Sequence, residues 1–415
     1  MDRTFHIENR KNLAERLPKG SLALMFSGSA PRKTADEYYP FFADRSFVYM
    51  TGVEYQGLAL LLQIDPDGVK ETMFILPPDA HAERWNGARI KADEVLAKSG
   101  ISNCRYIGEL DAELKRLAES GCYENLYLDL NKLTLDEPDR EAYKMAKFAG
   151  DKYPYLKIGN LNHHIRVLRT IKKPCEIEAM RKAESITREG IIAMMKASKP
   201  GMYEYQYKAV WDYTLAQHGV LAPMFPSIVC AGKNNFCIHY YDYRGQAQDG
   251  DMVLNDVGAV WDNVGTDVSR GWPVNGKFSE KQRLLYQCAY NTSNYMFSII
   301  KPGMAMGDVD ATVRKYNFEQ LKSIGLCDKF EDVGKYIWHG GAHHVGYDTH
   351  DVVYAPADMP IAPNMVFCVD VGIYCEEWGI GFRLEDNCLV TENGCENLSA
   401  ATPRSIEEIE AVMGK

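Results

Sequence analysis

Two landmarks recur in this chain in the same order, and a repeat of that kind restricts the fold more than any single motif. The run Lys199-Pro200-Gly201-Met202 returns as Lys301-Pro302-Gly303-Met304, and Asp256-Val257-Gly258 returns as Asp370-Val371-Gly372. A helical pattern precedes each four-residue terminator. One begins near Pro174, a first-turn residue whose missing N–H has no helical partner there, and carries Ile177, Met180, Ile191 and Met195 at helical spacing. The other runs over residues 280–300. A second helical pattern follows each terminator (203–218 and 308–324), and then an apolar run that ends in Asp-Val-Gly. Residues 170–400 are therefore expected to form two repeats of helix, turn, helix and β-hairpin, with a pseudo-two-fold bringing the hairpins together at a central sheet.

A chain of 415 residues exceeds one ordinary core, so a second domain is expected before the repeats. Residues 9–16 read as helix, 21–26, 47–50 and 58–62 as strands, 92–99 and 110–120 as helices, and 126–130 as a strand. This alternation predicts a compact α/β domain over 1–165, with residues 166–415 as the second domain. A net charge of -10 argues against nucleic-acid and anionic-membrane partners, both of which need clustered Lys and Arg. The start of the chain is polar, no apolar stretch is long enough to span a bilayer, and the eleven cysteines include no Cys-x-x-Cys pair. These features point to the reducing cytoplasm.

Between the two Asp-Val-Gly copies lies the densest histidine cluster, His339, His343, His344 and His350, and each copy is followed by another carboxylate, Asp267 or Glu385. Four carboxylates and a histidine are what a two-metal hydrolytic site requires: two divalent cations about 3.5–4 Å apart hold a bridging hydroxide and stabilise an oxyanion. Oxygen-rich ligands with one or two imidazoles suit Mn²⁺, Co²⁺, Fe²⁺ or Zn²⁺, and the absence of cysteine ligands argues against structural zinc. Asp beside Gly is common in turns, and a single histidine is usually structural. The duplicated framework favours the metal site, because facing hairpin strands give these carboxylates a reason to converge.

Residues 160–400 resemble the pita-bread metallopeptidases, and most closely the Xaa-Pro aminopeptidases (aminopeptidase P), with the Xaa-Pro dipeptidases as near relatives. The resemblance rests on Ile238-His239-Tyr240-Tyr241 with Asp249 to Gly258, on Gly265-Thr266-Asp267-Val268-Ser269-Arg270, and on His339-Gly340-Gly341-Ala342-His343 and His350-Asp351 with Gly379 to Asp386. Tyr39-Pro40-Phe41 and Glu83-Arg84-Trp85-Asn86-Gly87 are similar to the accessory domain of the same enzymes. The resemblance implies an α/β chain with that accessory domain and a pita-bread catalytic domain. It implies Asp256 on one metal, Asp267 and Glu385 bridging, and His343 with Asp370 on the second, Mn²⁺ being the first choice. It further implies that His239 and His350 contact a peptide with proline in second place, that His339 lines the pocket, and that Arg383 orients ligands or meets a substrate carboxylate. Trp85 would line the entrance of a neighbouring subunit in a homodimer or homotetramer. The chain departs from the family at Asp370, where the family has the Glu of Glu-Pro-Gly, which both binds the second metal and takes the proton from the water. An Xaa-Pro dipeptidase, a metal-free hydrolase of non-peptide C–N bonds and a non-catalytic binding module are the competing expectations.

Overall fold

The computed structural model describes residues 1–414, which divide into two compact units, residues 1–169 and 170–414. The first unit is built on a six-stranded mixed sheet. Its central strand Ser21–Phe26 pairs antiparallel with Ala59–Asp65 and parallel with Asn125–Leu128. Leu22, Leu24, Leu60, Leu61 and Leu126 are fully buried along these strands, so the apolar runs read in the sequence become the core. The first helix is Arg3–Glu15, earlier than expected because Asp2 caps it by accepting from the backbone N–H groups of Thr4 and Phe5.

One expected strand is a helix. Residues 47–50 lie within the helix Arg45–Thr51, which Asp44 caps through the Phe47 N–H and Gly52 ends in the left-handed region. Every residue of this helix is buried, so packing on all sides outweighs the strand preference of Phe, Val and Tyr. His6 lies beneath it, with Nδ1 3.1 Å from the Tyr49 carbonyl oxygen. Burial drives the His6 pKa down from 6.5 to about 4, against that bond, and Arg10 adds to the fall. The unfolded chain therefore takes up this proton first on acidification, and the stability His6 contributes above pH 6.5 is lost as pH falls towards 4. The expected loss is up to about 3 kcal/mol. Thermal unfolding across this window should show a shallower pH slope in His6→Gln than in the unsubstituted protein; equal slopes would remove His6 from the acid response.

In the second unit the duplication is visible bond by bond. Gly201 N–H donates to the Ala247 carbonyl (2.7 Å) and Ala247 N–H to that of Met202 (2.8 Å); Gly303 N–H donates to Ile361 (2.9 Å) and Ile361 N–H to Met304 (2.8 Å). The two terminators thus end the helices Pro174–Ala197 and Glu280–Ile299 in the same way, and the helices Glu204–Gln217 and Met306–Ser323 follow. The first hairpin pairs Met252–Val257 with Val268–Pro273, and the second pairs Val366–Cys375 with Ile380–Val390. They belong to separate three- and four-stranded sheets rather than to one central sheet. Side chains stitch them together: Arg270 donates to the Glu385 carbonyl (2.8 Å), and Asn387 Nδ2 donates to that of Asp267 (2.7 Å). No helix among the described residues is long and apolar enough to cross a membrane.

Candidate metal centre

The hairpins aim their acidic residues at one another. In the second hairpin Asp370 and Glu385 are direct cross-strand partners. In the first, the partner of Asp256 is Ser269, and Asp267 comes from just before that strand, two residues earlier on the same face. The repeat therefore matches Asp256 to Asp370 but Ser269, not Asp267, to Glu385. The glycine of each Asp-Val-Gly permits a different close approach. A Cβ on Gly258 would lie 1.8 Å from the Thr266 carbonyl oxygen, and one on Gly372 would lie 2.1 Å from His339 Nε2.

Asp267, His343 and Glu385 converge closely. His343 Nε2 is 3.1 Å from Glu385 Oε1 and 3.7 Å from Asp267 Oδ2, while Ser269 Oγ donates to Glu385 Oε2 at 2.8 Å. Burial and the neighbouring Glu385 and Asp256 carboxylates push the Asp267 pKa well up, and burial with Asp370 raises that of Glu385. His343 is held up at about 9: burial opposes its charge, and the bond to Glu385 overcomes burial. Asp256 is fixed by Arg383, whose Nη2 lies 2.8 Å from Oδ2 and whose Nη1 donates to Tyr374 Oη at 3.0 Å. Asp370 faces His339, with Oδ2 3.0 Å from Nδ1, and its pKa falls despite burial because His339 and Arg383 favour the anion.

One oxygen on each of Asp256, Asp267 and Asp370 is buried with no hydrogen-bond partner. Three carboxylates with idle lone pairs, crowded together out of water, would repel one another unless a cation joined them. The donor set therefore fits divalent metal. His350 stands at its edge, its ring 4.5 Å from that of His343, and His239 is exposed and stacks on Tyr241. Trp85 lies in the N-terminal unit on the helix Ala80–Asn86, 77% exposed.

A sulfur also lies beside the cluster, where the sequence was expected to bring only carboxylates and imidazole. The donor atoms of Asp267, His343, Cys368 and Glu385 all lie within 4.8 Å of one another. Cys368 precedes Asp370 by two residues on one strand and so shares its face. Burial and the Glu385 and Asp267 carboxylates hold the thiol well above its usual range. Ser269, Tyr374 and Asn387 were also overlooked, because their roles follow from strand register.

The profile of metallopeptidase family M24 matches residues 178–392, and that of the aminopeptidase P N-terminal domain matches residues 6–127. The Xaa-Pro aminopeptidase of Escherichia coli is 29% identical, with 97% of this chain and 96% of that protein covered. A solved chain from Bacillus anthracis, provisionally named an aminopeptidase P, is 35% identical with a TM-score of 0.97, covering 100% of this chain and 99% of that one. Zinc-substituted E. coli aminopeptidase P in complex with product is 26% identical with a TM-score of 0.90, covering 100% and 98%.

Proposed function

The chain belongs to metallopeptidase family M24, and we propose on that premise that it is a metal-dependent aminopeptidase that removes the residue before a proline. The observation that carries this reading is the convergence of Asp267, His343 and Glu385 beside two further buried acids with unpartnered oxygens. Asp256 would hold one cation, Asp267 and Glu385 would bridge, and His343 with Asp370 would hold the second; the preponderance of oxygen donors favours Mn²⁺. Such cations supply Lewis acidity and an attacking water made nucleophilic at neutral pH.

The chain's own residues do the rest. Asp370 accepts the proton of the water at Oδ1 while Oδ2 stays on His339. Arg383 is 2% exposed and holds Asp256 in place, so it acts as a positioning residue rather than meeting substrate. His239 and His350 lie on the open side, where imidazole N–H groups can donate to the scissile carbonyl oxygen and hold the peptide. Residues 1–165 serve as the accessory domain and 166–415 as the catalytic one. The exposed Trp85 suits a subunit contact in a homodimer or homotetramer. Eleven thiols, none bonded to another, suit the cytoplasm.

Purified protein given Mn²⁺ or Co²⁺ and a tripeptide with proline in second place is expected to release the first amino acid. Turnover should exceed that with the corresponding Xaa-Pro dipeptide and stop on chelation. Failure to turn over with any divalent metal would sink the reading.

A further inference from the structure

The four-donor group of Asp267, His343, Cys368 and Glu385 contains a sulfur where the sequence placed the Asp370 carboxylate. Asp370 is not in that group; its Oδ2 lies 3.0 Å from His339 Nδ1. Both residues stand on the same face of Val366–Cys375, and each is beside a candidate ligand: Cys368 is the cross-strand partner of His343, and Asp370 that of Glu385. Asp267, 3% exposed, adds an unpartnered Oδ1 to the same small space. The nearest backbone and amide acceptors of the Cys368 sulfur, Asp267 O and Asn387 Oδ1, are both 3.9 Å away.

We propose that Cys368 Sγ is a direct ligand of the cation held by Asp267, His343 and Glu385, adding one sulfur to the nitrogen and carboxylate oxygens around it. This rests on the metal-centred reading above. On binding, the S–H bond breaks, its proton leaves to solvent, and a metal–sulfur bond forms without change of oxidation state. A thiolate makes this position softer than its partner, so Zn²⁺ and Co²⁺ are preferred here while the oxygen-rich position near Asp256 keeps its taste for Mn²⁺. It also explains how the centre tolerates an acid one methylene short. A donor from two residues earlier on the same strand adds to what the shortened Asp370 carboxylate supplies.

The test uses the full chain stripped of metal and titrated with Co²⁺. The expected spectrum has visible d–d bands together with an intense near-ultraviolet thiolate-to-cobalt band. Cys368→Ser should keep the former, lose the latter and bind Zn²⁺ roughly tenfold or more weakly. A charge-transfer band that survives in Cys368→Ser would assign the sulfur to another cysteine and overturn the proposal. Because a buried substitution can disturb folding, X-ray absorption at the zinc edge of the unsubstituted protein provides a second readout. A sulfur shell at about 2.3 Å beside nitrogen and oxygen at about 2.0–2.2 Å is expected. A shell of light atoms alone would overturn sulfur ligation and leave the metallopeptidase reading intact. Absence of any bound cobalt or zinc would overturn both.

Discussion

Replacing Glu385 by glutamine is expected to lower kcat on an Xaa-Pro tripeptide by about 10³-fold or more, roughly 4 kcal/mol of transition-state stabilisation. Glu385 is 2% exposed and stands at the centre of the cluster, with Oε1 3.1 Å from His343 and Oε2 accepting from Ser269 at 2.8 Å. The amide keeps the shape but removes the charge and half the acceptor capacity. The fold should survive, because the Ser269 hydroxyl can turn to suit either end of an amide. Metal content should fall along with kcat, since the remaining acids cannot both bridge and balance two divalent charges. A Glu385→Gln protein with unchanged kcat and unchanged metal content would remove this carboxylate from the centre.

Much of this site was legible because strand chemistry repeats at period two and the chain repeats itself. The twin terminators and twin Asp-Val-Gly runs located the two half-sites, and the structure brings Asp256, Asp267, Asp370 and Glu385 to the facing hairpins and His343 to the strand beside the second. What could not be read was register. Asp267 and Glu385 looked like counterparts because each follows an Asp-Val-Gly, yet the cross-strand partner of Asp256 is Ser269. That one slip decides which residue bridges and which donates to the bridge. Cys368 was missed for another reason: an apolar run read as buried core conceals a polar atom when the strand is covered on both faces. In the N-terminal unit the helix Arg45–Thr51 was read as strand because four bulky residues were weighed by propensity, while the Asp44 cap and the Gly52 stop flanking them were not.

The variants of Asp370 test what its missing methylene means. Asp370→Asn is expected to lower kcat by about 10²–10⁴, the usual contribution of a general base, while leaving Glu385, His343 and Asp267 able to hold a cation. Lengthening the same side chain should also reduce activity, not restore it. His339 packs so closely over Gly372 that even a Cβ there would meet its ring at 2.1 Å, and the same ring grips Asp370 Oδ2 at 3.0 Å. A glutamate at 370 must push into that ring or fold back over Cys368, and overpacking of this kind costs about 1–3 kcal/mol. The shorter acid is therefore matched to a histidine packed closely against Gly372. Measuring kcat and metal content of Asp370→Glu decides between the alternatives. A loss of about tenfold with metal retained, about 1.4 kcal/mol, fits a site built around aspartate. A gain of that size would mean that Asp370 holds the centre short of the reach it needs, with His339 acting as a brake on the carboxylate.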